Sequence, residues 1–164
     1  MPQKYFSAEA IEALATPLIG QYHSEIATAR IKFVFAEKAG MKGGAPVLGK
    51  SRKLSGVLEH LVGADFVIEV AMDQWNNLPA PQRLALVDHL LECCTGEEDG
   101  NDPAATPKWS IREPEMREFG TILNRHGAWN SRLEEVVSIA QRLNTGTYAA
   151  NALNTETAQV STHN

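Results

Sequence analysis

The residues best able to do chemistry lie in one short stretch, Asp88-His89-Leu90-Leu91-Glu92-Cys93-Cys94. On a helix, side chains four apart share a face, which puts His89 beside Cys93. Imidazole and thiolate both bind zinc. Glu92 follows His89 by three and falls roughly 60–100° round the helix from that pair. From there it points toward the place of a metal-bound water, as a general base would. A plainer use of the same residues is a hydrogen-bonded histidine beside two cysteines that pack as small apolar groups.

The surrounding periodicity says what must hold this stretch. Over residues 81–94, Leu84, Val87, Leu91 and Cys94 form one apolar stripe, widened by Leu86, Leu90 and Cys93. This predicts a largely buried helix. A helix is also expected over 7–29, capped by Ser7, with Glu9 and Glu12 at its positive end and a kink or break at Pro17. The alternation of Ile31, Phe33 and Phe35 predicts a strand over 30–38. Residues 39–45 hold Gly40, Gly43 and Gly44 and read as a turn. Strands are expected over 47–54 and 65–73, with a short helix or loop at 55–61. A loop follows at 95–107, then helices at 115–125 and 131–144. From Thr145 the chain has almost no core-forming residues, so a flexible tail is expected. The order is α+β: a small sheet against the 81–94 helix, with an N-terminal helix and two C-terminal helices. One domain over 1–144 is expected.

Composition narrows the function. The 164 residues are 43% hydrophobic and 21% charged, the balance of an ordinary globular domain. The two cysteines are adjacent, so no disulfide framework exists and a reducing cytosol is expected. A net charge of −5 argues against a protein that coats nucleic acid. No apolar run approaches the roughly 18 residues of a membrane span. Met1 to Phe6 lack a hydrophobic signal core.

The H-x-x-E-C spacing of His89, Glu92 and Cys93 resembles the inverted zincin pattern H-x-x-E-H, in which two histidines hold zinc and the glutamate is the base. The longer blocks FVFAEKAGMKGGAPVLGK, DFVIEVAMDQWNNL, QRLALVDHLLECC and REF through RHGAW carry a wider likeness. From about Arg30 to Trp129 the chain resembles the phage metallopeptidase family. Asp73, Trp75, Arg83, Ala85, Leu86, Asp88 and His89 fit its pattern, as does the order of blocks. The resemblance implies a zincin-like fold, a zinc ion and an action in the cytoplasm of the infected host.

At the motif helix the family pattern looks like H-E-L-C-H-C. On this chain its first histidine is His89, its catalytic glutamate falls on Leu90, and its second histidine on Cys93. A downstream His-Asp pair falls on Glu113 and Pro114. Three readings follow. The site is repaired, with His89, Cys93 and Glu113 as metal ligands and Glu92 as base. Or zinc is bound without hydrolysis. Or the metal is gone, and the fold grips a host protein or peptide, inhibiting or redirecting a host defence factor. The loss of the base at position 90 motivates the last.

Other residues have both structural and functional readings. Gly127 suits a helix end, which would place His126 where a cationic imidazole is favoured. His126 and Glu118 are also possible further ligands. Trp75 reads as a core anchor, and Trp109, just after a polar loop, as a packing residue with the lining of a pocket or partner surface as its alternative. Lys38, Lys42, Lys50, Arg52 and Lys53 surround the glycine turn as a solvated basic face, since the phosphate-loop pattern is absent. The alternative is a patch for an acidic partner or nucleic acid. His23 and His60 show no partner by spacing.

Overall fold

The computed structural model describes residues 1–114 and 118–144. They divide between two compact units, Met1–Glu113 and Pro114–Asn164.

The first unit is α+β. Strand β1 (Tyr5–Ser7) leads into helix α1 (Glu9–Tyr22), and a single 3-10 turn follows at Ser24–Ile26. Ser7 does not cap α1. It ends β1, where its backbone pairs with Val34, and Ala8 stands at the cap. Pro17 does not break the helix, and Glu9 and Glu12 occupy its first turn as expected.

Strand β2 (Ile31–Ala36) precedes the small hairpin of β3 (Met41–Lys42) and β4 (Ala45–Pro46). Gly43 and Gly44, with φ of 59° and 80°, make its two-residue turn. That backbone favours glycine and matches the twist of the paired strands. Strand β5 (Gly49–Lys53), helix α2 (Gly56–Val62), strand β6 (Phe66–Ala71) and the short helix α3 (Met72–Trp75) follow. Helix α4 (Ala80–Glu92) carries the motif, and strands β7 (Cys94–Glu97) and β8 (Lys108–Ile111) close the unit. The 95–107 segment is therefore not all loop, because its first three residues pair with β8.

The main sheet has the order β1-β2-β6-β5. β2 and β6 run parallel, with Ile31, Phe33 and Phe35 opposite Phe66, Ile68 and Val70. This face joins Ile11, Ala15 and Leu18 of α1 and Val87, Leu90 and Leu91 of α4 in one core. The other face carries Lys50 and Arg52, both paired to Glu69 at 3.3 and 3.6 Å. A sheet buried on one side and wet on the other explains the alternation read in β2. α4 is buried less broadly than expected. Leu84 is 43% exposed, and the core stripe is Val87, Leu90, Leu91 and Cys94. Cys94 lies beyond the helix, as the first residue of β7.

The chain enters β2 and β6 through one ion pair. Asp65 accepts from the backbone N–H of Arg30 at 2.7 Å and from its guanidinium at 2.8 and 3.2 Å. The Arg30 side-chain bonds hold the Asp65 carboxyl below the ordinary 3.8, against the opposing effect of burial. A depressed carboxyl stabilises the fold above its unfolded pKa, and this contribution is lost as pH falls through the folded value. Urea midpoints should therefore drop in acid below about pH 4. Asp65→Asn should lower the midpoint at pH 7, and its difference from wild type should shrink in that acid window. An unchanged difference from pH 7 to 2 would rule this linkage out.

In the second unit, helix α5 (Gly120–His126) ends at Gly127, whose φ of 64° suits glycine. The expected start of that helix at 115–117 lies outside the described residues, as does the tail from Thr145. Helix α6 (Ser131–Arg142) is capped by Asn130, whose side chain accepts from the Leu133 N–H at 3.0 Å. Among the described residues, no helix is long and apolar enough to cross a membrane.

Candidate functional site

Around helix α4 the chemical residues lie outside the apolar stripe, with Asp88 and Glu92 beyond one edge and His89 and Cys93 beyond the other. His89 and Glu92 are exposed, and Cys93 is half-buried at the helix end. Leu90, the residue onto which the sequence resemblance lays a glutamate, faces the core. It is 2% exposed and lies over Gly49 of β5. A Cβ on Gly49 would meet Leu90 Cδ1 at 2.8 Å. The Ser51 hydroxyl, two residues on, donates to the Leu90 carbonyl at 2.6 Å. Helix and edge strand are thus closed on each other at position 90.

Glu92 is held away from a role as free base. Its carboxylate pairs with Arg112, whose Nε–H also donates to the Glu92 carbonyl at 2.7 Å. Its other oxygen lies 3.4 Å from His23 Nδ1. His23 is 1% exposed, and its Nε2 lies 2.6 Å from Asp88 Oδ1. The expectation that His23 lacks partners is therefore corrected. It stands just after α1 and locks that helix to two carboxylates one turn apart on α4. The Nδ1 contact lacks hydrogen-bond alignment, so one nitrogen of the buried ring is satisfied and the other is only close to charge.

The cysteines differ in environment. Burial pushes the Cys93 thiol above its ordinary 9.0. It pushes Cys94, wholly buried, to about 12. Thiolate is the form that binds metal, and burial among apolar groups opposes it. Glu113 is exposed at the end of the first unit. In the second unit, Glu118 accepts from the Trp129 indole at 3.0 Å and from the Phe119 N–H at 2.8 Å. His126 closes α5, the setting expected for a cation at a helix end.

The scaffold residues of the motif blocks have clear structural work. Asp73 accepts from the N–H groups of Ala39 and Gln74 at 3.0 and 2.9 Å. Trp75 is buried edge-on against Phe35, with the Arg83 guanidinium over its ring at 5.2 Å. Arg83 Nε–H also donates to the Trp75 carbonyl at 3.0 Å. Trp109 is buried edge-on to Phe66. Trp75 and Trp109 are core anchors, as their size predicts.

A mixed α+β unit with these blocks in this order defines a class, and comparison with known families agrees. The chain belongs to the phage metallopeptidase family: the model described as "Putative phage metallopeptidase" matches residues 3–143. The match extends beyond the Arg30–Trp129 stretch that the motifs alone delimit. No curated protein and no solved structure matches the chain.

The family implies a metal, commonly zinc. Zinc takes four ligands in structural sites and at least three protein ligands in catalytic ones. Among the described residues, no three His, Cys, Asp or Glu side chains gather as a group able to hold a metal ion. Around His89, one carboxylate is engaged by Arg112 and the neighbouring thiol is raised by burial. As placed, these side chains do not fit the zinc ion of the family.

Proposed function

We propose that this is a zincin-like, phage-encoded protein with altered or lost hydrolase activity. The alternative is a non-catalytic interaction protein that inhibits or redirects a host factor, such as a defence factor, in the host cytoplasm. The observation that carries this reading is Leu90. A metallopeptidase needs a carboxylate within hydrogen-bond reach of the metal-bound water. Here the corresponding side chain is apolar, 2% exposed and packed on Gly49 of the edge strand. The engagement of Glu92 by Arg112 supports the same reading, since an ion-paired carboxylate is a poor substitute base.

The test is a zinc determination on protein purified under reducing conditions, with hydrolysis of an unstructured casein substrate measured in parallel. The expected result is less than about 0.1 zinc per chain and no casein cleavage above that of a His89→Ala control, because the ligand set is incomplete. One zinc per chain, released by Cys93→Ala and kept by Cys93→His, would overturn the loss of the centre. It would instead support His89, Cys93 and Glu113 as ligands with Glu92 as base.

A further inference from the structure

Away from α4, two features of the first unit adjoin each other. The first is a cleft of about 530 Å³ walled by Arg30, Glu59, Asp65 and Glu98, with the strap 103–107 along one side and Trp109 in its lining. One guanidinium faces three carboxylates there, and it is already committed to Asp65 by two side-chain bonds. Its approach to Glu59, at 3.4 Å, is the weaker one. The lining therefore keeps a net negative charge of two, carried at its mouth by Glu59 and Glu98. The Trp109 indole N–H is buried and finds no acceptor. A buried donor in that state favours an incoming carbonyl or water.

The second feature is α2, which contributes Glu59 to this wall. Val57, Leu58, Leu61 and Val62 are 72%, 59%, 73% and 43% exposed, and the helix has no buried residue. At about 100° per residue these four side chains cover an arc of about 140°, and Glu59 stands about 60° beyond Val62. A continuous apolar face on a monomer marks a surface for a partner. Here the face runs directly into an acidic cleft.

We infer that the cleft and the α2 face together form a docking site for a basic, amphipathic peptide segment of another protein: a lysine or arginine enters between Glu59 and Glu98, and flanking apolar side chains lie on α2. Charge complementarity selects this occupant. A nucleic acid or an anionic membrane would meet carboxylates at the cleft mouth. A second copy of this chain would bring Glu59 and Glu98 toward their own equivalents if the contact were two-fold. The inference is independent of the state of the α4 centre, because none of its residues lies on that helix.

The probe is a fluorescein-labelled nonapeptide with a central arginine flanked by leucines, followed by fluorescence anisotropy on the full chain. Saturable binding is expected. It should weaken at least about tenfold in the double variant Glu59→Gln, Glu98→Gln and with citrulline in place of the arginine, as a paired charge at an interface requires. Leu61→Asp should weaken it to a similar degree. Glu98 and Leu61 are exposed and Glu59 is half-buried, and circular dichroism checks the fold of both variants. Equal binding of an acidic nonapeptide, or indifference to the carboxylate changes, would overturn the inference. So would a dimer in sedimentation velocity that Leu61→Asp dissolves, or binding of the protein to vesicles of anionic phospholipid.

Discussion

Leu90→Glu, which puts a carboxylate at the position onto which the sequence resemblance lays one, is expected to destabilise the fold by about 4 kcal/mol or more. Two effects add. The apolar contacts of a fully buried leucine are lost, which by truncation alone costs about 2–5 kcal/mol. The new carboxylate then sits against Gly49 and β5 with no cation beside it in the core, and an uncompensated buried charge costs about 3–5 kcal/mol. A domain has only about 5–15 kcal/mol in total, so urea unfolding should show a large fall in midpoint. Leu90→Ala should fall in the truncation range alone. A Leu90→Glu chain with wild-type stability and a newly bound zinc would mean that position 90 faces an open site, and the reading of a lost centre would fail with it.

The second large effect is expected at Gly96. It lies in β7 directly opposite Trp109 of β8. A Cβ there would come within 2.5 Å of Trp109 Cε3 and closer still to Cζ3. The indole cannot retreat freely, because its other side is set edge-on against Phe66 at 5.9 Å between ring centres. Gly96→Ala should therefore cost about 2–3 kcal/mol through overpacking. Near-UV circular dichroism should show the displaced indole as a changed tryptophan band. Gly100→Ala is the control, since nothing lies within 4 Å of its added Cβ and its φ is not positive. That change should stay within about 0.5 kcal/mol. Equal effects at the two positions would refute the close fit of β7 on Trp109.

How far the sequence could be read depended on the physical range of each signal. β2 and β6 were legible because their burial on one face imposes alternation or an apolar run over six residues. Helix α4 was legible for the same reason at helical period. β1 has three residues and no buried one, so it leaves no pattern. β7 begins in Cys94-Thr95-Gly96, where the glycine serves the contact with Trp109 and reads in isolation as a turn signal. Ser7 has a good capping side chain, but the pairing of β1 with β2 claims its backbone, so tertiary structure overrode local preference. At the candidate site, the likeness to the family was visible as letters. The contact of His23 with Asp88 was not, since 65 residues separate them. The pairing of Glu92 with Arg112 likewise depends on the turn of the chain through β7 and β8.

The parallel pairing of β2 with β6 has a consequence for how the chain is made. Ile31 meets Phe66 and Ala36 meets Ala71, so each pair spans 35 positions. β1 must likewise reach across α1 to find β2. No strand of the main sheet is joined to its neighbour by a tight turn, and only β5 and β6 are joined by a connection as short as α2 and its flanks. Closing loops of this size before any contact rewards them slows folding. On a ribosome, the first sixty-five residues to emerge hold α1, α2, the β3–β4 hairpin and the β1–β2 pair, but β2 has no partner yet on its other edge, because β6 begins at Phe66. The central strands can zip only as β6 emerges from Phe66 onward, and their apolar face is fully covered only after α4 follows. The sheet is thus completed late, with the phenylalanines of β2 waiting for β6 and α4.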